Sequence, residues 1–219
     1  MAGAKPSRLM PLPPSKAERL HQVLPIGIRL LAMPSEPPAV AVVTMPVNPY
    51  TAEDVAAILR EHGWLAAELE MQAGSALETW CTRAAELLGP HASDRARLDE
   101  LLSLIFIYDA AASLQRIANQ DVLARSGARD VIRELANRIL DGSDLDSDRF
   151  KEIVESIKAA APYRSREVFH PIRLALTGRA GEGDLDRVIL LLDAAAKIDF
   201  ALPVKGSRQR MLEFCAALY

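Results

Sequence analysis

Ten of the fourteen prolines fall before Tyr50, and this segregation divides the chain into two kinds of polymer. Proline has no backbone N–H and holds φ near −65°, so residues 1–49 cannot form a long helix. The first 15 residues read as an extended or disordered lead. Two apolar runs follow, at 26–33 and 39–45, joined by Pro34-Ser35-Glu36-Pro37-Pro38. The second run is rich in Val and Ala, so the pair can form a short β-hairpin or edge strands. The other reading is an irregular arm lying on the rest of the chain.

From Thr51 onward the apolar residues recur at helical spacing. Thr51 with Asp54 makes a capping-box start, Val55, Ile58 and Leu59 share one face, and His62-Gly63 supplies a stop. Ser75 with Glu78 repeats the start signal, Leu77, Trp80, Cys81, Ala84, Leu87 and Leu88 form the stripe, and Gly89-Pro90 ends it. A third helix begins at Ser93 or Asp94 and buries Leu98, Leu101, Leu102, Ile105 and Phe106. A shorter fourth contains Leu114 and Ile117, and the next starts near Ser126 and runs to Asp141-Gly142. Phe150, Ile153, Val154 and Ile157 make a further stripe that ends before Pro162. None of these helices is long enough to be stable alone, so they must pack on one another. The expected fold is all-α: a first helical subdomain over 50–125 and a second over 126–219, preceded by the Pro-rich arm of 1–49.

Charge narrows the function. The chain carries a formal −3, yet the arm has Lys5, Arg8, Lys16, Arg19 and Arg29 against Glu18 and Glu36. Removing that +3 leaves about −6 on residues 50–219. A dedicated nucleic-acid binder usually has a basic excess, so any RNA contact must be local or assisted by a partner. Cys81 and Cys215 sit among apolar residues without a spaced motif and read as buried free thiols. No apolar run approaches a membrane span, and the prolines at 11, 13 and 14 interrupt any leader-like stretch. A cytoplasmic protein without membrane or DNA partners is expected.

Several constellations resemble chemistry without completing it. Asp144, Asp146, Asp148, Glu152 and Glu155 fall at calcium-loop spacing, but Arg149 stands where that loop needs glycine for its sharp turn. Capping of the following helix by Asp146 or Ser147 explains the acids better. The glycine-rich run at 178–183 continues into Asp184 and Asp186 rather than Lys and Ser, and it follows a helix, so it reads as a turn and not a phosphate loop. No nucleophile elbow surrounds any serine, and His170, just before Pro171, reads as a cap at a helix start. No catalytic residue, metal or cofactor is expected.

The stretch at 164–193 is the most informative. A basic turn leads into an apolar helix from Phe169 to Leu176, Thr177-Gly178 breaks it, and a second apolar helix runs from Leu185 to Leu192. Its core, Phe169-His170-Pro171-Ile172-Arg173-Leu174-Ala175-Leu176-Thr177-Gly178-Arg179, resembles the FxPLRxALTG segment in the anticodon-binding region of bacterial glutamyl-tRNA synthetases. The order of the preceding helices extends the resemblance over roughly residues 50–200. The resemblance implies a helical module that meets the anticodon loop of tRNA and singles out Arg173, Thr177 and Gly178; Arg164, Arg166, Arg179 and Arg187 surround them as further candidate RNA contacts. Splayed single-stranded bases are read by stacking and by hydrogen bonds from such groups.

Charging a tRNA needs more than this. The class I synthetases use a Rossmann domain with HIGH-type and KMSKS-type signatures, and here the nearest strings are HQVLPIG at 21–27 and KGSR at 205–208. The expectation is therefore a stand-alone, truncated relative that is not itself an enzyme and binds tRNA or assists a catalytic synthetase subunit in trans. The competing reading is a helical protein-interaction module that keeps the scaffold without RNA. Arginines of 164–187 gathered on an open face favour RNA; arginines each paired with an acid such as Glu167 or Asp186 favour the interaction module. Met211, Leu212, Phe214, Cys215 and Leu218 predict a last amphipathic helix that caps the bundle or docks a partner.

Overall fold

Helix caps written in the sequence set the order of the elements. In the computed structural model the described residues are 48–65, 69, 71–160 and 163–219, and among them every regular element is helical. Helix α1 (Ala52–Glu61) opens with the reciprocal Thr51–Asp54 box, the Thr51 N–H donating to Asp54 Oδ2 at 2.8 Å. Helix α2 (Ala76–Leu88) starts at Ser75 and runs into a short 3-10 turn, Gly89–His91. Asp94 caps α3 (Arg95–Phe106), accepting from the Arg97 N–H at 2.8 Å. The chain then makes α4 (Ala110–Gln115), α5 (Ile117–Leu123), α6 (Ala128–Leu140), α7 (Ser147–Ala160), α8 (Ser165–Thr177), α9 (Asp184–Ile189), α10 (Leu192–Ala195) and α11 (Ser207–Leu218). Over the described residues the protein is all-α. No described helix is long and apolar enough to cross a membrane.

Helix α8 is the central element. It packs against α6, α9, α11, α5 and α7, while α1 lies on α2, and α9 also reaches α2 and α3. Val168, Ile172, Leu174, Ala175 and Leu176 of α8 are fully buried. Four of the aromatic residues gather in one cluster. Trp64 stacks on Phe106 at 4.5 Å, and Phe106, Trp80 and Phe200 meet edge to face at 5.0–6.2 Å. Such pairs each add about 0.5–1.5 kcal/mol beyond area burial.

Helices on both sides of residue 125 meet directly, and Thr44–Tyr219 forms a single compact unit. The Trp80 indole N–H donates across the boundary to the Leu191 carbonyl at 3.3 Å. We propose that 50–125 and 126–219 are nonetheless two folding units. The expected hairpin or irregular arm before residue 48 lies outside the described residues.

Five sequence expectations need correction. The helix expected around Leu114 and Ile117 is two helices, because Arg116 adopts an extended conformation (ψ 127°) between α4 and α5. Ile117 opens α5 and is 78% exposed. The helix expected from Leu185 to Leu192 is also divided, into α9 and α10. The α8 helix starts at Ser165 instead of Phe169, so His170 and Pro171 lie in its interior and His170 is no cap. Burial of Val168 holds the first turns in place despite the donor that Pro171 lacks. Cys81 is buried as expected, but Cys215 is only half-buried, and its neighbour Leu212 faces solvent. Asp146 does cap α7, accepting from the Arg149 N–H at 2.8 Å, while Asp144 pairs with Lys197.

Candidate nucleic-acid interface

The turn after α8 is built from its helix end outward. Gly178 takes φ +75°, the left-handed conformation that closes a helix without a Cβ penalty. A Cβ there would also stand 2.5 Å from the Ser113 hydroxyl, so the position is restricted twice. The buried Asn119 amide donates to the Gly178 carbonyl at 3.1 Å and to the Ser113 carbonyl at 2.7 Å, tying the turn to α4 and α5. Thr177 is 2% exposed; its hydroxyl hydrogen-bonds the Arg173 carbonyl at 2.8 Å and accepts from the Arg179 N–H at 3.4 Å.

Arg173 closes the loop from the other side. The residue is 7% exposed, and its guanidinium forms two 2.7 Å hydrogen bonds with the Asp186 carboxylate, in the fork geometry that makes arginine pairs strong. A third bond goes to the Gly181 carbonyl at 2.8 Å, and the guanidinium carbon lies 5.0 Å from the Phe169 ring centre. Residues 178–183 are therefore clasped between α8 and α9. Arg97 of α3 adds a second clasp by pairing with Asp184 and Glu100, and Arg179 pairs with the same Glu100. The two guanidinium groups hold the Glu100 carboxyl below its usual range, the Arg179 bond having the larger effect.

The sequence-selected residues thus fall into two groups. Arg173, Thr177 and Gly178 come together but are buried and occupied by intramolecular partners. Arg179 is partly exposed and paired with Glu100. Arg164 and Arg166 lie at the other end of α8, both exposed, and have no ion-pair partner among the described residues. The Arg164 N–H donates to Glu167, a reach-back contact at the helix start.

Sequence reasoning missed the residue that anchors the whole arrangement. Arg210 of α11 is fully buried and has no carboxylate partner among the described residues; its donors go to the Leu104, Ile105, Leu176 and Lys205 carbonyls. Leu104, Ile105 and Leu176 lie in the last turns of α3 and α8, where carbonyls lack helical partners and the helix dipole favours a cation. Burial pushes this guanidinium down to about 10, which still leaves it charged at neutral pH. Tyr108 stacks 4.7 Å from it and donates its hydroxyl to the Ala175 carbonyl at 2.6 Å, and burial holds the phenol above its ordinary range. The signal was available, since Arg210 falls in register with the buried Ser207, Met211 and Phe214.

Two open grooves flank the clasped loop. One, of about 280 Å³, has the half-buried Phe169 in its wall with Lys158, Lys151, Asp186 and Arg187 around it. The Lys158 ammonium lies 5.5 Å from the Phe169 ring centre. The other, of about 260 Å³, is lined by Ile107, Arg116, Thr177, Gly178 and Arg179. Aromatic and aliphatic surface rimmed by cations suits an unstacked base with its phosphates.

A family model described as an anticodon binding domain matches residues 46–196. A glutamate–tRNA ligase from Sulfurihydrogenibium sp. (strain YO3AOP1) is 27% identical over 110 residues, which is 50% of this chain. The matched part is 21% of that relative's length. No solved structure matches the chain.

Proposed function

Because the chain belongs to the anticodon-binding domain family, we propose that it recognises the anticodon loop of a tRNA, with Arg164, Arg166 and Arg179 contacting RNA directly. Arg173, Thr177 and Gly178 contribute by fixing the shape of the 178–183 loop. An unstacked base would lie against Phe169, with Lys158 and Arg187 at the rim. The observation carrying this reading is the family match over 46–196, which contains all six residues. Aminoacylation is assigned in this proposal to a synthetase acting in trans, and the same proposal places the protein in the cytoplasm.

Fluorescence polarisation with labelled total tRNA at low salt tests the reading, using the wild type and the Arg166→Ala/Arg179→Ala variant. Saturable binding that weakens in the variant supports it. No binding even at about 50 mM salt, where electrostatic contacts are strong, rejects it.

The protein-interaction reading gains from one observation: Arg173 and Arg179 are each committed to an acid. Against it stand Arg164, Arg166 and Arg187, which are exposed and have no acidic partner among the described residues. Capture of a synthetase without tRNA would favour this second reading.

A further inference from the structure

Building on the tRNA reading, we propose that Arg125, Arg166 and His170 form a binding site for an RNA phosphodiester at the N-terminal part of α8, away from the clasped loop. Arg166 and His170 are four residues apart on α8 and so lie on one face, one turn apart. Arg125 arrives from the link between α5 and α6, and its Nη1 lies 3.3 Å from His170 Nδ1. For Nδ1 to accept from a guanidinium, the imidazole must be neutral and carry its proton on Nε2. The cluster then offers donors from two separate elements of the fold.

What distinguishes these cations from the other arginines near the loop is the missing counter-charge. Arg97, Arg173 and Arg179 each hold a carboxylate, whereas no carboxylate lies within ion-pair distance of Arg125 or Arg166 among the described residues. Both side chains are exposed, and apart from the contact between Arg125 and His170 neither has a hydrogen-bond partner among the described residues. The groups facing His170 are Arg125 from the α5–α6 link, Arg166 and Arg173 from α8, and Glu182 from the loop after it. Burial and then the three arginines hold the imidazole below its ordinary value, and Glu182 alone opposes them. An arriving phosphate supplies the charge that the cluster lacks, and arginine's planar fork matches its oxygens. With Arg179 at the far end of α8, the site spreads RNA contact along the helix in a protein whose overall charge is −3.

The test combines polarisation binding of total tRNA with NMR titration of the His170 ring, on the full chain. Arg125→Gln and Arg166→Gln are each expected to weaken tRNA binding about fivefold or more. Each should lower the slope of log K against log salt by about 0.7–0.9, the value of one lost phosphate contact. The His170 pKa should rise when tRNA binds and, to a smaller extent, with inorganic phosphate alone. If the wild type binds tRNA but the variants match it and His170 is unmoved, the cluster is refuted and Arg166 is no RNA contact, while tRNA binding itself, carried by the other residues, stands. If the wild type binds no tRNA, the tRNA reading falls, and inorganic phosphate decides the cluster: a raised His170 pKa supports an anion site, and an unmoved one refutes it.

Discussion

Arg166 and Arg173 stand two turns apart on α8, and their surroundings differ in every respect that matters for binding. Arg173 is buried against Phe169 and saturated by Asp186 and Gly181. Arg166 is exposed, unpaired among the described residues, and close enough to His170 to depress its protonation. The comparison teaches that a motif arginine is not automatically a ligand arginine. At the C-terminal end of α8, positive charge is used to close a loop and to satisfy helix-end carbonyls; at the N-terminal end it is left available.

If this division is right, substitutions at the two ends should separate stability from binding. The largest loss of stability is expected for Arg210→Met, which strips donors from buried carbonyls of α3 and α8. A cost on the order of 4 kcal/mol in chemical denaturation is expected. A loss below about 1 kcal/mol would show that the carbonyls find other partners. Arg173→Met strands the Asp186 carboxylate and should cost about 3 kcal/mol. Adding Asp186→Leu should recover part of that cost, and a double-mutant cycle isolates the coupling. Gly178→Ala forces a Cβ into the left-handed region and against Ser113, with about 2 kcal/mol expected in thermal melts.

The ion pairs of Glu100 should have a smaller, pH-dependent effect. Its folded-state pKa is below the ordinary 4.5, so its contribution is complete above that value and is lost as pH falls through the lowered one. Because the group is 40% exposed, solvent screening keeps the effect under about 1 kcal/mol. Melts from pH 7 to pH 3 should show a shallower decline in Glu100→Gln. Smallest of all, Arg125→Gln and Arg166→Gln should change stability by no more than about 0.5 kcal/mol. A loss comparable to that of Arg173→Met would abolish the contrast between the two ends.

Helix positions were largely legible in the sequence because caps are local chemistry. Thr51–Asp54, Ser75–Glu78 and Asp94 needed only neighbours three residues away. The breaks at Arg116 and between α9 and α10 were not legible, because neither carries a glycine or proline at the break. The early start of α8 was hidden by Pro171, whose local penalty is outweighed by burial of Val168 and its neighbours. At the candidate site, the residues of the 164–179 stretch were found, but their roles were not. Asp186 was named only as a conditional partner, while Glu100, Asn119 and Arg210 were missed, since their contacts with the stretch span 34 to 79 residues.

The sequence by itself determined that residues 50–219 would be helical, where most of those helices begin, and which family segment they carry. Periodicity, caps and a contiguous motif are all short-range information. Only the tertiary structure decided which arginines are occupied and which are free. That depends on carboxylates and carbonyls brought from distant helices, and on whether burial has removed the water that would otherwise compete for each guanidinium.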